Sequence, residues 1–98
     1  MPDEKFTKYA LNPLKSRDKA EAFKKALGYT EDNYHELKQN IYDNLSEIGF
    51  VEKGDDEYGM RYEQVLELVG VNGKKAKVMT AWIQDGNDKR LISVYVDK

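Results

Sequence analysis

Apolar positions recur along this chain at two different periods, and the period changes at Gly49. Ala20, Phe23, Ala26 and Leu27 follow the three-and-four spacing that lines one face of a helix. Ser16 stands where an N-cap belongs, Asp18 lies in the first turn, and Gly28 is a natural stop. Tyr34, Leu37, Ile41, Leu45 and Ile48 carry the strongest periodic signal and predict a second helix ending at Gly49. Thr30 is placed to cap it, with Glu31 and Asp32 beside the positive end of the helix dipole. Upstream, residues 1–17 read as an extended lead-in with a turn at Asn12-Pro13.

Beyond Gly49 the pattern alternates. Phe50-Val51 suggests a short edge strand, and Gly54-Asp55-Asp56-Glu57 an acidic loop. Met60 to Leu68 favours a strand, with Tyr62, Leu66 and Leu68 on one side. Gly70-Val71-Asn72-Gly73 is a hairpin signal, and Asp85-Gly86-Asn87-Asp88 marks a second turn. Between them Lys75 to Ile83 places Ala76, Val78, Thr80 and Trp82 on one parity. Arg90 to Val96 then divides into Ile92, Val94 and Val96 against Leu91, Ser93 and Tyr95. The order predicts one α+β domain over residues 1–98, with two N-terminal helices packed on one face of an antiparallel β-sheet of three to five strands. Its expected core is Ala26, Leu37, Ile41, Leu45, Leu66 and Val94, with Phe23 at the helix margin.

Composition narrows the chemistry. With 40% hydrophobic and 35% charged residues the chain suits a folded domain with a charged surface. No apolar run approaches the length of a membrane span, so no membrane anchor is expected, and Met1-Pro2-Asp3-Glu4-Lys5 has no secretory core. The absence of cysteine excludes disulfides, cysteine–zinc sites and a thiol nucleophile. A net charge of −2 argues against tight non-specific nucleic-acid binding, and no DNA partner is expected. Lys74, Lys75, Lys77 and Lys89 nonetheless gather near the predicted hairpins; with Arg90 they either steer phosphate or simply protect sheet edges. Asp55, Asp56 and Glu57 lack the spacing of a calcium loop and read as solvated, so no metal is expected. There is no phosphate-binding loop, dinucleotide fingerprint or His-Glu-x-x-His, and no cofactor is expected.

Several stretches resemble a family of small bacterial domains met at the C-termini of polymorphic toxins and of phage head-morphogenesis proteins. They are Lys8-Tyr9-Ala10-Leu11-Asn12-Pro13, Lys19-Ala20 with Phe23, and Ala26-Leu27-Gly28-Tyr29. Further on come Glu57-Tyr58-Gly59 with Arg61-Tyr62, Gly70-Val71-Asn72-Gly73-Lys74, Thr80 with Trp82-Ile83, and Arg90-Leu91 with Tyr95-Val96. Such domains are grouped with RNase toxins of the barnase, EndoU, colicin and RelE kind. The resemblance implies a metal-independent endoribonuclease toxin acting on RNA, with tRNA the expected class, in the cytoplasm of a target cell. It also implies a cognate immunity protein as partner, and delivery within a larger secreted or phage-borne protein. Many relatives carry a histidine between the Asn-Pro pair and the helix-one lysine. Here that segment is Leu14-Lys15-Ser16-Arg17-Asp18, which departs from the pattern.

Metal-free RNA cleavage needs a base for the 2′-hydroxyl proton, an acid for the leaving oxygen and a cation for the charged phosphorane. The single histidine, His35, sits beside the helix-two stripe and reads as a surface or structural residue. The chemistry then falls to Lys, Arg, Tyr, Ser or Thr. Lys19, one turn from Phe23, can reach the sheet margin or be an ordinary solvated lysine. Ser93 and Tyr95 share a strand face that is either ligand-facing or merely wet. Arg90 can clamp a phosphate or pair with Asp85 or Asp88. Thr80 can contact phosphate or fill the core. The candidate catalytic group is therefore Lys19, Arg90, Ser93, Tyr95 and Thr80. Lys77, Lys89 and Trp82 are the candidate substrate contacts, Trp82 as a base-stacking platform or as core. A rival reading is a non-catalytic protein-binding module of phage or mobile-element origin that uses the same sheet face.

Overall fold

The Leu11 amide donates to the Phe6 carbonyl at 2.8 Å, five residues back, and closes a wide helical turn over Lys5–Ala10. Phe6, Ala10 and Leu11 thereby point inward together, and Phe6 is fully buried. The lead-in is thus not extended: three apolar side chains on one turn are worth more buried than solvated. This computed structural model describes residues 5–14 and 16–97; Met1 to Glu4, the start of the expected lead-in, lie outside the described residues, as do Lys15 and Lys98.

Helix α1 spans Arg17–Leu27 and stops at Gly28, whose φ of 81° is left-handed and lets its amide bond back to Phe23 and Lys24. Ser16 occupies the N-cap position, but its side chain makes no capping bond. Thr30 caps the short turn Glu31–Asn33 that leads into the second helix rather than that helix itself: its hydroxyl accepts from the Asp32 amide, while the Asn33 side chain accepts from the Thr30 amide at 2.7 Å. Helix α2, Tyr34–Asn44, ends a turn before Gly49. The backbone of Ser46 is taken by Gln64 of the sheet, whose amide accepts from the Ser46 N–H and donates to its carbonyl, each at 2.9 Å. A tight turn, Glu47–Gly49, then throws Ile48 outward, so Ile48 is 96% exposed and not part of the stripe.

Four strands follow: β1 (Val51–Asp56), β2 (Gly59–Val69), β3 (Lys75–Asp85) and β4 (Asp88–Asp97). They pair antiparallel in chain order, which makes β1 and β4 the edges. The acidic run is no loop: Gly54, Asp55 and Asp56 complete β1, and only Glu57-Tyr58 turns. Asp56 fixes that turn by accepting from the Tyr58 amide and pairing with Arg61. Those bonds, the one from Arg61 first, hold its carboxyl below the usual aspartate value.

Strand β4 carries a bulge. Ala81 faces Ser93 while Trp82 faces Leu91, so Ile92 has no partner. Simple alternation fails there: Leu91 and Val94 are both buried. Arg90, Ser93 and Tyr95, opposite Ile83, Ala81 and Met79, come onto one face together.

Phe23, Leu27, Leu37 and Ile41 of the helices form one buried cluster with Leu66, Leu68, Val78, Trp82 and Val94 of the strands. Phe23 is fully buried and belongs to this cluster, with Phe6 of the N-terminal turn, rather than to a margin. Ala26 and Leu45 are only half-buried. Ile41→Ala should therefore cost about 2–5 kcal/mol in denaturant unfolding, and Leu45→Ala distinctly less. A loss under about 1 kcal/mol at Ile41 would contradict a buried α2 stripe.

Candidate functional site

Lys19 lies in the first turn of α1, whose N-terminal end meets β4. From there the exposed side chain reaches the edge of the sheet, and its Nζ lies 5.4 Å from the centroid of the half-buried Tyr95 ring. A cleft of about 320 Å³ opens beside it, lined by Lys5, Ala10, Ser16, Lys19, Ile92, Ser93 and Val94. A smaller one of about 170 Å³, with Asp18, Ala22, Tyr95 and Val96, adjoins it and shares Lys19. The N-terminal turn supplies one wall, α1 the second and β4 the floor. Ser16, which does no capping, brings a second hydroxyl alongside Ser93.

The bulge extends this arrangement along β4. Arg90, Ser93 and Tyr95 occupy successive rows of one face, roughly 6–7 Å apart by strand geometry. Arg90 stands at the far end and does not join Lys19 in the cleft; it lies 3.9 Å from Asp85 across the turn, an exposed pair that binds weakly. Electrostatically the cleft holds two ammonium groups, Lys5 and Lys19, near the positive end of α1. A larger hollow of about 400 Å³ between α1 and residues 30–32 is lined by Glu21, Glu31 and Asp32 with Lys24, a net acidic set less suited to phosphate than the Lys5–Lys19 cleft.

Other candidates lie elsewhere. Thr80 is fully buried opposite Val94, hence on the face opposite to Ser93. Its hydroxyl donates to the Gln64 carbonyl at 2.7 Å and accepts from Trp82 Nε1 at 2.8 Å. Trp82 is 4% exposed and packs edge-on to Phe50, so it offers no open ring face for stacking. These two residues hold the core together; a catalytic Thr80 and a stacking Trp82 are corrected on that ground. Lys77 stands between Glu67 and Asp97 at one end of the sheet, whereas Lys89 and Arg90 stand at the other. The lysines around the hairpins therefore do not form one patch. Lys89 lies over the rings of Phe50 and Tyr62. His35 is exposed and stacks on Tyr34.

Sequence reasoning missed Lys5 and Ser16 as cleft residues. Ser16 had a more ordinary explanation as a cap, and Lys5 comes near only because the lead-in folds back. It also missed Phe50, which periodicity does not mark.

These elements define a small α+β domain with a four-stranded antiparallel meander and a basic cleft at one sheet edge. The chain belongs to the family described as Domain of unknown function (DUF6883), whose family model matches residues 1–98. No curated protein and no solved structure matches it significantly.

Proposed function

We propose that the Lys19–Ser93–Tyr95 cleft binds the sugar–phosphate backbone of RNA, tRNA foremost, and cleaves it without a metal. The chain would then act as a toxin-type endoribonuclease in the cytoplasm of a target cell, held in check by an immunity protein. The convergence of Lys19 with Tyr95 and Ser93, from opposite ends of the chain, carries this reading. In it the helices cover one sheet face and leave the β4 strip to the substrate.

The reaction is transesterification. The ribose 2′-oxygen attacks the adjacent phosphorus, the bond to the 5′-oxygen breaks, and a 2′,3′-cyclic phosphate and a 5′-hydroxyl result. The Lys19 ammonium offsets the charge added in the phosphorane. Ser16 and Ser93 donate to its non-bridging oxygens, and the Tyr95 hydroxyl moves the proton between attacking and leaving oxygens. Arg90, further along the strip, holds a flanking phosphate through its planar fork.

Incubation with total tRNA in EDTA should give discrete fragments ending in cyclic phosphate. Lys19→Ala should slow cleavage by roughly 10²–10³, the usual loss of one charge-stabilising donor, with unchanged thermal unfolding. Tyr95→Phe should also be slowed, and Arg90→Lys weakened. Expression without a partner should arrest bacterial growth. Intact tRNA, or full toxicity of Lys19→Ala, would favour the rival protein-binding module. That module has its own support in the row Val65, Met79 and Tyr95 across three strands, of which Val65 is 44% exposed and the other two half-buried.

A further inference from the structure

Phe50, on the short link between α2 and β1, is half-buried and stands edge-on to Trp82 and Tyr62, with centroids 5.8 and 6.3 Å away. The Lys89 ammonium lies over two of these rings, 4.8 Å from the centroid of Phe50 and 4.6 Å from that of Tyr62. Among the described residues no carboxylate stands within ion-pair distance of it. Beside the rings opens a pocket of about 420 Å³ whose wall includes Glu47, Phe50, Trp82, Asn87, Asp88 and Lys89.

We propose that this pocket is a nucleotide subsite, with the base against Phe50 and its phosphate on Lys89. The proposal rests on the RNA reading above and names a second place where that substrate is held. Three observations select the ligand. Lys89 lies over ring faces, and among the described residues its N–H donors have no acceptor, so an anion can supply one. An external cation would first have to displace Lys89 from both rings, whereas an anion need not. The volume is that of a small-molecule site, and its aromatic wall suits a flat ring more than a bare anion. The Asn87 amide and the Glu47 and Asp88 carboxylates that line the pocket can address base edges, the carboxylates by accepting from an exocyclic amine, while Lys89 is, among the described residues, its one cation for the phosphate. Lys89 lies on β4, as do Arg90, Ser93 and Tyr95, so one strand carries both this pocket and the cleavage strip. The subsite thus holds a nucleotide that flanks the bond to be cut.

Trp82 is the only tryptophan and lines this pocket, so its fluorescence and its indole N–H resonance are probes placed at the pocket wall. The whole chain is titrated with adenosine 5′-monophosphate, adenosine and ribose 5-phosphate. The nucleotide should perturb both Trp82 signals saturably, and each half-ligand should bind at least about tenfold more weakly, since charge-assisted bonding and stacking are each lost in turn. Lys89→Gln should weaken the nucleotide to about the level of adenosine. Phe50→Leu should abolish the base contribution while thermal unfolding confirms the fold. Lys74→Gln, remote from the pocket, should match the parent chain. Ribose 5-phosphate binding as well as the nucleotide would show a plain anion site and overturn the proposal. So would an absent Trp82 response, or one unaltered in Lys89→Gln. Because the readout is binding, the two readings separate. RNA cleaved with Trp82 silent removes the subsite alone, and a Trp82 response with RNA intact removes the nuclease alone.

Discussion

Gly70→Ala should destabilise the chain by about 3 kcal/mol or more and lower the thermal midpoint by more than about 12 °C. Gly70 sits where the β2–β3 hairpin meets the end of α1. A Cβ there would fall on the Leu27 carbonyl oxygen, 2.5 Å from the Leu27 Cα and 2.6 Å from its carbonyl carbon. The obstacle is backbone, so no rotamer change relieves it. The hairpin must separate from the helix or the end of α1 must unwind. Separation also breaks what the contact holds in place. The Asn40 amide donates to the Val69 carbonyl and to the Tyr29 hydroxyl, each at 2.9 Å, with Tyr29 2% exposed. Gly73→Asn is the control: φ is 80° there, but a side chain meets open space, so about 1 kcal/mol or less is expected. Equal midpoints for the two variants would show that the close approach is not rigid.

Gln64→Glu should cost about 3–5 kcal/mol at neutral pH, the usual scale for an uncompensated buried charge. Gln64 is 5% exposed, and its side chain serves the Ser46 amide and carbonyl as a neighbouring strand would. A carboxylate keeps the bond from the Ser46 N–H but faces the Ser46 carbonyl with a second acceptor. A protonated carboxyl regains the donor. Burial and that carbonyl raise the folded-state pKa of the new glutamate above its unfolded value of about 4.3. The variant's stability relative to the parent is then fully recovered below that unfolded value and lost as pH rises through the higher folded one. A deficit that does not change with pH would show that Gln64 does not read the Ser46 backbone. The same network reaches inward: the Gln64 carbonyl accepts from Thr80, whose hydroxyl accepts from Trp82. Thr80→Val therefore leaves the buried indole N–H unpaired.

The residues quoted for the family resemblance take on separate meanings. Ala26-Leu27-Gly28-Tyr29 and Gly70-Val71-Asn72-Gly73-Lys74 are two sides of one joint between helix end and hairpin. Thr80 and Trp82 are a polar brace inside the core. Lys19, with Arg90 and Tyr95 on their own strand, belongs to neither group. A motif read along the chain does not separate these roles, because burial is decided by what packs opposite.

What was legible from the sequence was whatever depends on near neighbours. The helical spacing around Phe23, Leu37 and Ile41, the stop at Gly28, the cap at Thr30 and the two hairpin turns all rest on contacts a few residues apart. So did the pairing of Ser93 with Tyr95, since alternation needs only the strand itself. The tertiary structure decided the rest. It ended α2 at Asn44 because a distant glutamine takes the Ser46 backbone, and it folded the lead-in into a turn against β4 that buries Phe6. It placed a bulge at Ile92, which brought Arg90 onto the face of Ser93 and Tyr95 and put Leu91 with Val94 in the core. It also carried Lys19 to Tyr95, 76 positions along the chain, and Lys89 to Phe50 and Tyr62. Each of these outcomes depends on which surfaces meet once the core closes, and no local period encodes that.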